Sequence, residues 1–234
     1  MKTMIMGIFN ATPDSFHAPS RYNGSIFDSG ADIIDIGAES TRPGYKSVPA
    51  SEQFKRLEPV LKTVPQNITV SIDTTSSQVI ERSMQLLGRK VIVNDVSAGA
   101  DDPEMLPLAA REGLTYIAMH RGGFVCREEV AGFFRQWRLK AEDMGIKDWI
   151  LDPGFGFGKD IAQNWELLEN LGELKALGQP VLVGVSMKRM TCASAFVTEK
   201  AHLMALGQGA DILRVHNVAA ARNTLNKFYS PSMM

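Results

Sequence analysis

The chain repeats one short pattern eight times: a run of apolar, often β-branched residues that ends at or near a polar side chain. Near-continuous apolar runs of this length are typical of strands buried on both faces, as in parallel sheets. The runs are Met4–Asn10, Ala31–Gly37, Ile68–Thr74, Val91–Ser97, Thr115–His120, Trp149–Gly154, Pro180–Ser186 and Ala210–His216. The sequence therefore predicts an eight-stranded parallel sheet.

Most of the stretches between these runs have the apolar spacing of helices. Helices are predicted over residues 51–64, 75–87, 103–112, 127–144, 164–177 and 218–228, with Ser51 as the N-cap of the first. Glycines at the helix ends favour left-handed caps at positions 113, 145, 178 and 209. Eight strand–helix units in 234 residues predict an α/β protein, a (β/α)₈ TIM barrel that forms a single domain over residues 1–234. An open doubly wound sheet is the alternative, and the helical units after strands 1 and 7 look shortened.

Composition and charge exclude several classes of protein. A net charge of −1 and a pI near 6.4 argue against a general nucleic-acid binder and a polybasic membrane-surface protein. The longest apolar runs fall short of the ~20 residues that a membrane span needs. The N-terminus predicts no signal peptide, so we expect a cytoplasmic protein. Cys126 and Cys192 are too few for a disulfide framework, and we expect both to be small core residues.

Polar side chains cluster at the carboxyl ends of the predicted strands, where barrels of this kind carry their active face. Any one of them could be structural, but their recurrence at corresponding positions favours a functional site. They are Asn10, Asp35, Glu39, Asp73, Asn94, His120, Asp152, Lys188, Arg214 and His216, with Met119 beside His120.

The residue types at these ends indicate two kinds of contact. A carboxylate accepts two parallel N–H bonds and an amide offers one donor and one acceptor, so Asp73, Asn94 and Asp152 suit a guanine-like or pterin-like edge. Arg214 and His216 lie two residues apart and point to the same face of one strand. This basic pair suits a phosphate or pyrophosphate group.

The strand-end segments also carry a family resemblance. The chain contains NATPDSF (10–16), ADIIDIGAESTRPG (31–44), SIDT (71–74), NDVSAG (94–99), DPGFGFGK (152–159) and RVHNV (214–218). These motifs closely resemble those of the dihydropteroate synthase family, which are pterin-binding TIM-barrel enzymes of folate biosynthesis and sulfonamide targets. The resemblance runs nearly end to end and in the family's order.

The resemblance implies a transferase of an alkyl group other than methyl. It would condense 6-hydroxymethyl-7,8-dihydropterin pyrophosphate with 4-aminobenzoate, giving dihydropteroate and pyrophosphate. The implied pterin-binding residues are Asp73, Asn94, Met119, Asp152 and Lys188. The implied pyrophosphate-binding residues are Asn10, Arg214 and His216, with Asn10 also as a Mg²⁺ ligand. Implied on the aminobenzoate side are Phe16, Thr41, Arg42, Pro43 and Arg189. Lys188, Arg214 and Asp152 would be catalytic, and a homodimer is expected.

Three positions depart from the family pattern, namely Met187, Arg189 and Asn217. They keep open a specialised or non-catalytic pterin-binding relative. The other alternative is a pterin-dependent methyltransferase domain. The TPDSF, STRPG and RVH segments argue against it, because they favour a pyrophosphate substrate.

Overall fold

A computed structural model describes residues 2–11, 26–39, 48–123, 127–186 and 188–230. Within these ranges eight parallel strands form one sheet in the order β6-β5-β4-β3-β2-β1-β8-β7. The strands are β1 Met4–Asn10, β2 Ile33–Gly37, β3 Thr69–Asp73, β4 Ile92–Asp95, β5 Tyr116–Met119, β6 Trp149–Asp152, β7 Leu182–Val183 and β8 Ile212–Val215. A parallel bridge between Leu151 and Val181 joins β6 to β7, the two outermost strands in that order. The predicted barrel is confirmed, and the open sheet is not formed.

Helices cover the outside of the barrel. They are α1 Ala50–Leu61, α2 Ser77–Leu87, α3 Met105–Glu112, α4 Arg127–Met144, α5 Ile161–Glu169, α6 Leu171–Lys175, α7 Ala195–Gly207 and α8 Val218–Tyr229. A buried layer of aliphatic and aromatic side chains packs between these helices and the sheet, and stacked Tyr116 and Trp137 rings join β5 to α4 in it. None of the helices in the described ranges is both long and apolar enough to cross a membrane.

Three local expectations need correction. Ser51 is not an N-cap, because α1 begins at Ala50 after Pro49. The helix predicted over 164–177 is two helices, since Asn170 leaves the helical conformation at φ −111° and ψ 21°. Cys192 is exposed rather than buried, and Cys126 lies outside the described residues.

The two connections predicted to be short differ from each other. The helical unit after β7 is not shortened, because α7 has 13 residues, and the short element there is the two-residue strand β7 itself. Between β1 and β2, residues 26–32 contain no α-helix, and the rest of that connection lies outside the described residues.

The barrel interior has an apolar layer beneath a polar one. The apolar layer consists of Met6, Ile33, Ile117, Ile150, Leu182 and Ile212, with Ile92 packed against it. Side chains alternate between the two sides of a strand, so the residue two positions further along also points inward. That step leads from Ile33 to Asp35, from Ile150 to Asp152 and from Ile212 to Arg214. The two-residue period of the strands therefore places a layer of ionisable side chains above the apolar layer of the barrel interior.

Candidate functional site

Strand register brings the polar ends together at the carboxyl end of the barrel. Asp73 on β3 pairs in register with Asn94 on β4, and Met119 on β5 pairs with Asp152 on β6. Asn10, the last residue of β1, pairs with Gly37, which in turn pairs with Asp73. Because parallel strands end on the same side of the sheet, side chains far apart in sequence form one surface.

Arg214 joins two carboxylates across the barrel. Its Nε donates to Asp35 Oδ2 at 2.6 Å, and its Nη2 donates to Asp73 Oδ2 at 2.6 Å. The Arg214 side chain is 16% exposed and that of Asp35 is fully buried. Buried charges are tolerated when they are paired and hydrogen-bonded, as they are here.

Asp35 accepts two further hydrogen bonds. Ser71 Oγ donates to its Oδ1 at 2.7 Å, and Asn94 Nδ2 donates to its Oδ2 at 3.0 Å. A carboxylate can only accept, so the Asn94 amide turns its NH₂ toward Asp35 and its carbonyl oxygen away. One buried carboxylate thus contacts groups from three other strands.

Asp152 lies at the opposite side of this polar layer, next to a tight turn. Its Oδ1 accepts from the Gly154 backbone N–H at 2.8 Å. Gly154 has φ +69°, and a Cβ there would lie 2.0 Å from the carbonyl oxygen of His120, so only glycine fits. The turn therefore fixes the orientation of this carboxylate through one of its two oxygens.

Lys188 follows β7 and reaches the same turn. Its Nζ donates to the carbonyl of Phe155 at 2.8 Å and lies 4.5 Å from the centre of the Phe157 ring. Burial lowers the pKa of Lys188 to about 8, with the charge of Asp152 opposing the shift and that of Arg214 adding to it. This ammonium is therefore poised to lose its proton just above neutral pH.

Burial acts in the opposite direction on the carboxyl groups. It raises the pKa of Asp73, where the Arg214 charge opposes the rise and the Asp35 carboxylate adds to it. Burial also raises the pKa of Asp152, and the Gly154 N–H together with nearby cations opposes that rise. Clustered, shifted groups of both signs in a concave barrel end are characteristic of functional sites.

Known proteins resemble this chain over almost its whole length. Residues 6–216 match the family described as pterin binding enzyme. The dihydropteroate synthase of Streptococcus pyogenes is 38% identical over 92% of this chain and 91% of its own length. The chain belongs to the pterin-binding enzyme family.

Two solved structures of the family superpose closely on the barrel of this pterin-binding enzyme. The Xanthomonas albilineans dihydropteroate synthase with 4-aminobenzoic acid has a TM-score of 0.88 and 34% identity, over 97% of this chain and 92% of that chain. The Thermus thermophilus dihydropteroate synthase in complex with 6HMPPP has a TM-score of 0.85 and 35% identity, over 99% of this chain and 95% of that chain.

The pterin-binding enzyme gathers most of the predicted site residues at one end of its barrel. Those placed there are Asn10, Asp73, Asn94, Met119, Asp152, Lys188, Arg214 and His216. Ser186 Oγ lies 3.3 Å from His216 Nδ1, which links the ends of β7 and β8. Arg189 is exposed in a 3₁₀ turn over Arg189–Thr191. Phe16, Thr41, Arg42 and Pro43 lie outside the described residues, as does Met187.

The structure shows contacts for two residues of this pterin-binding enzyme to which the sequence assigns no role. Asp35 is one of the strand-end residues, and it contacts Asn94 and Arg214. Lys159 closes the DPGFGFGK segment, and its buried Nζ donates to the carbonyls of His120, Gly154 and Phe157 at 3.2, 3.0 and 3.1 Å. Burial lowers the pKa of Lys159 to about 8. Asp35 lies two residues after Ile33, and this spacing predicts that its side chain faces the barrel interior. The residues next to Lys159 in the sequence do not predict which carbonyl groups it contacts.

Proposed function

We propose that the protein is a dihydropteroate synthase that joins 6-hydroxymethyl-7,8-dihydropterin pyrophosphate to 4-aminobenzoate. The observation that carries this proposal is the polar layer in which Asp73, Asn94 and Asp152 face the same barrel end as Arg214. Relatives with this name, among them one in complex with 6HMPPP, share the barrel over nearly its full length. Formation of dihydropteroate serves folate biosynthesis, and sulfonamides are expected to compete with aminobenzoate.

The pterin edge matches the acceptors and donors of the layer. Its N–H groups would donate hydrogen bonds to Oδ2 of Asp152, to the carboxylate of Asp73 and to the outward-facing carbonyl oxygen of Asn94. Lys188 supplies a cationic donor on the same side, and Met119, which is buried beside Asp152, supplies an apolar contact. Bonds between a carboxylate and N–H donors are charge-assisted, so they orient the ring as well as hold it.

The reaction breaks one C–O bond and forms one C–N bond. Pyrophosphate leaves with the electron pair of the C–O bond, the amine nitrogen of aminobenzoate attacks the methylene carbon, and the amine then releases a proton. Negative charge grows on the leaving group, where Arg214 and His216 would stabilise it. The electron-rich dihydropterin ring spreads the positive charge of the methylene, while Asp73 and Asp152 hold that ring. An aromatic amine is already nucleophilic and needs no activated Ser or Cys.

Mg²⁺ suits the donor set at the pyrophosphate side. Among the described residues, no group of three or more His, Cys, Asp or Glu side chains could enclose a metal ion. Mg²⁺ keeps most of its waters and commonly binds through substrate phosphates plus one or two protein oxygens. The exposed carboxamide of Asn10 at the end of β1 fits that limited role. Asn10 would hold Mg²⁺ on this side, and the ion would supply positive charge beside the pyrophosphate group.

Aminobenzoate would bind at the outer rim of the barrel end. Arg189 directly follows Lys188 and is exposed, so its planar guanidinium is available to a carboxylate. We assign the same side to Phe16, Thr41, Arg42 and Pro43 on the basis of their motifs alone. Closure of this rim would exclude water, which competes with the amine for the methylene carbon.

A direct assay tests the proposal. Purified protein is incubated with the pterin pyrophosphate and aminobenzoate, and dihydropteroate and pyrophosphate are both quantified, with millimolar Mg²⁺ and with EDTA. Equal amounts of the two products, formed only with Mg²⁺, are expected. Tight binding of the pterin pyrophosphate without any product would instead indicate a non-catalytic pterin-binding protein.

We also propose a cytoplasmic homodimer that pairs through α7 and the end of α8. Phe196 on α7 is 68% exposed, and Phe228 and Tyr229 on α8 are 40% and 43% exposed. The two helices are neighbours, because Lys227 Nζ donates to Glu199 Oε1 at 2.7 Å. Large exposed aromatic side chains are enriched at protein interfaces. Sedimentation analysis should find a dimer for the wild type and a monomer for Phe196→Glu, and a monomeric wild type would refute the proposal.

A further inference from the structure

Asp35 has no assigned part in substrate binding, yet it contacts two groups that do. Its buried carboxylate accepts from Asn94 Nδ2 at 3.0 Å and from Arg214 Nε at 2.6 Å, both on Oδ2. The residue is 1% exposed and both of its oxygens accept from protein groups, so we expect it to act through those groups. Any influence it has on binding must pass through Asn94 and Arg214.

The contact with Asn94 fixes which end of an amide faces the ligand. A free asparagine amide can present either its oxygen or its NH₂, because the two ends have the same shape. A carboxylate behind it accepts only from the NH₂ end, so the oxygen is turned forward. Without Asp35, the Asn94 amide would sample both orientations and lose its selectivity for an N–H donor.

The contact with Arg214 keeps a guanidinium between two carboxylates. Asp35 Oδ2 accepts from Nε and also lies 2.6 Å from Nη2, which donates to Asp73. None of these contacts uses Nη1, so we expect Nη1 to donate to an anionic leaving group. If Asp35 were removed, Asp73 would be the remaining carboxylate in contact with Arg214, and the guanidinium would move onto the oxygens that the pterin needs.

We infer that Asp35 is a positioning residue, which sets the amide orientation of Asn94 and shares Arg214 with Asp73 so that the pterin and the pyrophosphate can bind together. The inference rests on the proposed function, since it concerns the same substrate. It differs from a general stabilising role in a way that Ser71 makes testable. Ser71 Oγ donates at 2.7 Å to Oδ1, the oxygen of Asp35 that neither Asn94 nor Arg214 contacts.

Three variants separate the two roles. Asp35→Ala removes all acceptors. Asp35→Asn retains one oxygen, which can face Asn94 and Arg214 while its NH₂ donates to the Ser71 hydroxyl. Ser71→Ala is the matched control, because it removes a hydrogen bond to the same buried carboxylate without touching either substrate-binding group. Calorimetry with 6-hydroxymethylpterin and with inorganic pyrophosphate measures the two halves of the site, and thermal unfolding monitors the fold.

The expected pattern is specific. Asp35→Ala should raise Kd for both probes at least tenfold, whereas Asp35→Asn should recover pterin affinity to within about threefold of the wild type. Ser71→Ala should lower Tm and leave both Kd values within about twofold. Asp35→Ser, which keeps a polar group at this position, replaces the alanine variant if that variant does not fold.

Two results would overturn the inference. One is a folded Asp35→Ala or Asp35→Ser protein with both Kd values unchanged. The other is a Ser71→Ala protein that loses affinity as much as they do, because the effect would then follow stability rather than positioning. Failure of the wild type to bind 6-hydroxymethylpterin at all would contradict the proposed function instead.

Discussion

Asp152 offers the clearest separation between binding the pterin and maintaining the fold. It is the last residue of β6 and is 7% exposed, and its Oδ1 accepts a hydrogen bond from the Gly154 N–H at 2.8 Å. Asp152→Ala removes both oxygens. Asp152→Asn keeps an oxygen for Gly154 and places an NH₂ where the pterin N–H groups are expected, so that two donors would face each other.

The geometry gives a magnitude for each effect. Leaving the buried Gly154 N–H unpaired costs about 1–3 kcal/mol of unfolding free energy, and only the alanine variant should lose it. Loss of a charged contact whose pterin partners stay buried costs about 2–4 kcal/mol of binding. That range corresponds to about a 30- to 900-fold rise in Kd for the pterin, and both variants should show it.

Calorimetry with 6-hydroxymethylpterin measures the binding effect, and urea unfolding measures the stability effect. We expect Asp152→Asn to unfold close to the wild-type midpoint while binding pterin at least 30-fold more weakly. If the folded asparagine variant bound pterin within about threefold of the wild type, Asp152 would serve only the Gly154 turn. The reasoning about the pterin edge would then be refuted.

Three further predictions concern the cationic residues around this edge. Arg189→Ala should raise KM for aminobenzoate about tenfold, or 1.4 kcal/mol, and leave pterin affinity unchanged, because the planar guanidinium suits a carboxylate. Steady-state kinetics measures this effect. Equal effects on both substrates would place Arg189 outside the aminobenzoate pocket. Lys188 has a pKa of about 8, so its charge is lost as the pH rises through that value, and pterin Kd should increase about tenfold from pH 7 to pH 9. Lys188→Arg stays charged and should lack this increase, and a parallel rise in both proteins would assign the titration to the ligand or to another group. Lys159→Met leaves three carbonyl groups without their ammonium donor. In denaturant titration it should lower the unfolding free energy by about 2 kcal/mol or more. An unchanged midpoint would mean that water replaces the ammonium group as the donor.

Local sequence patterns were sufficient to predict the barrel and the positions of most site residues. The strand at Met4–Asn10 and the helix at Arg127–Met144 have the predicted bounds, and the other strands lie within their predicted runs. A period of two residues and a period of 3.6 residues are properties of the chain itself, so they can be read without knowing what packs against it. The glycine cap expected at position 113 is confirmed by its φ of +57°.

Local patterns were weaker where competing interactions decide the ends of elements. Ser51 has the residue type of an N-cap, but the chain enters α1 one residue earlier, after Pro49. The stretch predicted as one helix over 164–177 breaks at Asn170, while Asp160 and Gln163 form a capping box that starts α5 earlier than expected. Several side chains in one stretch can cap a helix, and tertiary packing selects among them.

The sequence by itself determined that carboxylates, an amide and cations would end the strands of a parallel barrel, because alternation along each strand fixes which side chains face inward. Only the tertiary structure decided how those groups pair. Arg214 lies 179 residues from Asp35 and 141 from Asp73, and its two hydrogen bonds exist because the barrel brings the inward-facing side of β8 close to those of β2 and β3. Strand-end chemistry is a local property, whereas the choice of partner inside a buried layer depends on distances that only the closed barrel sets.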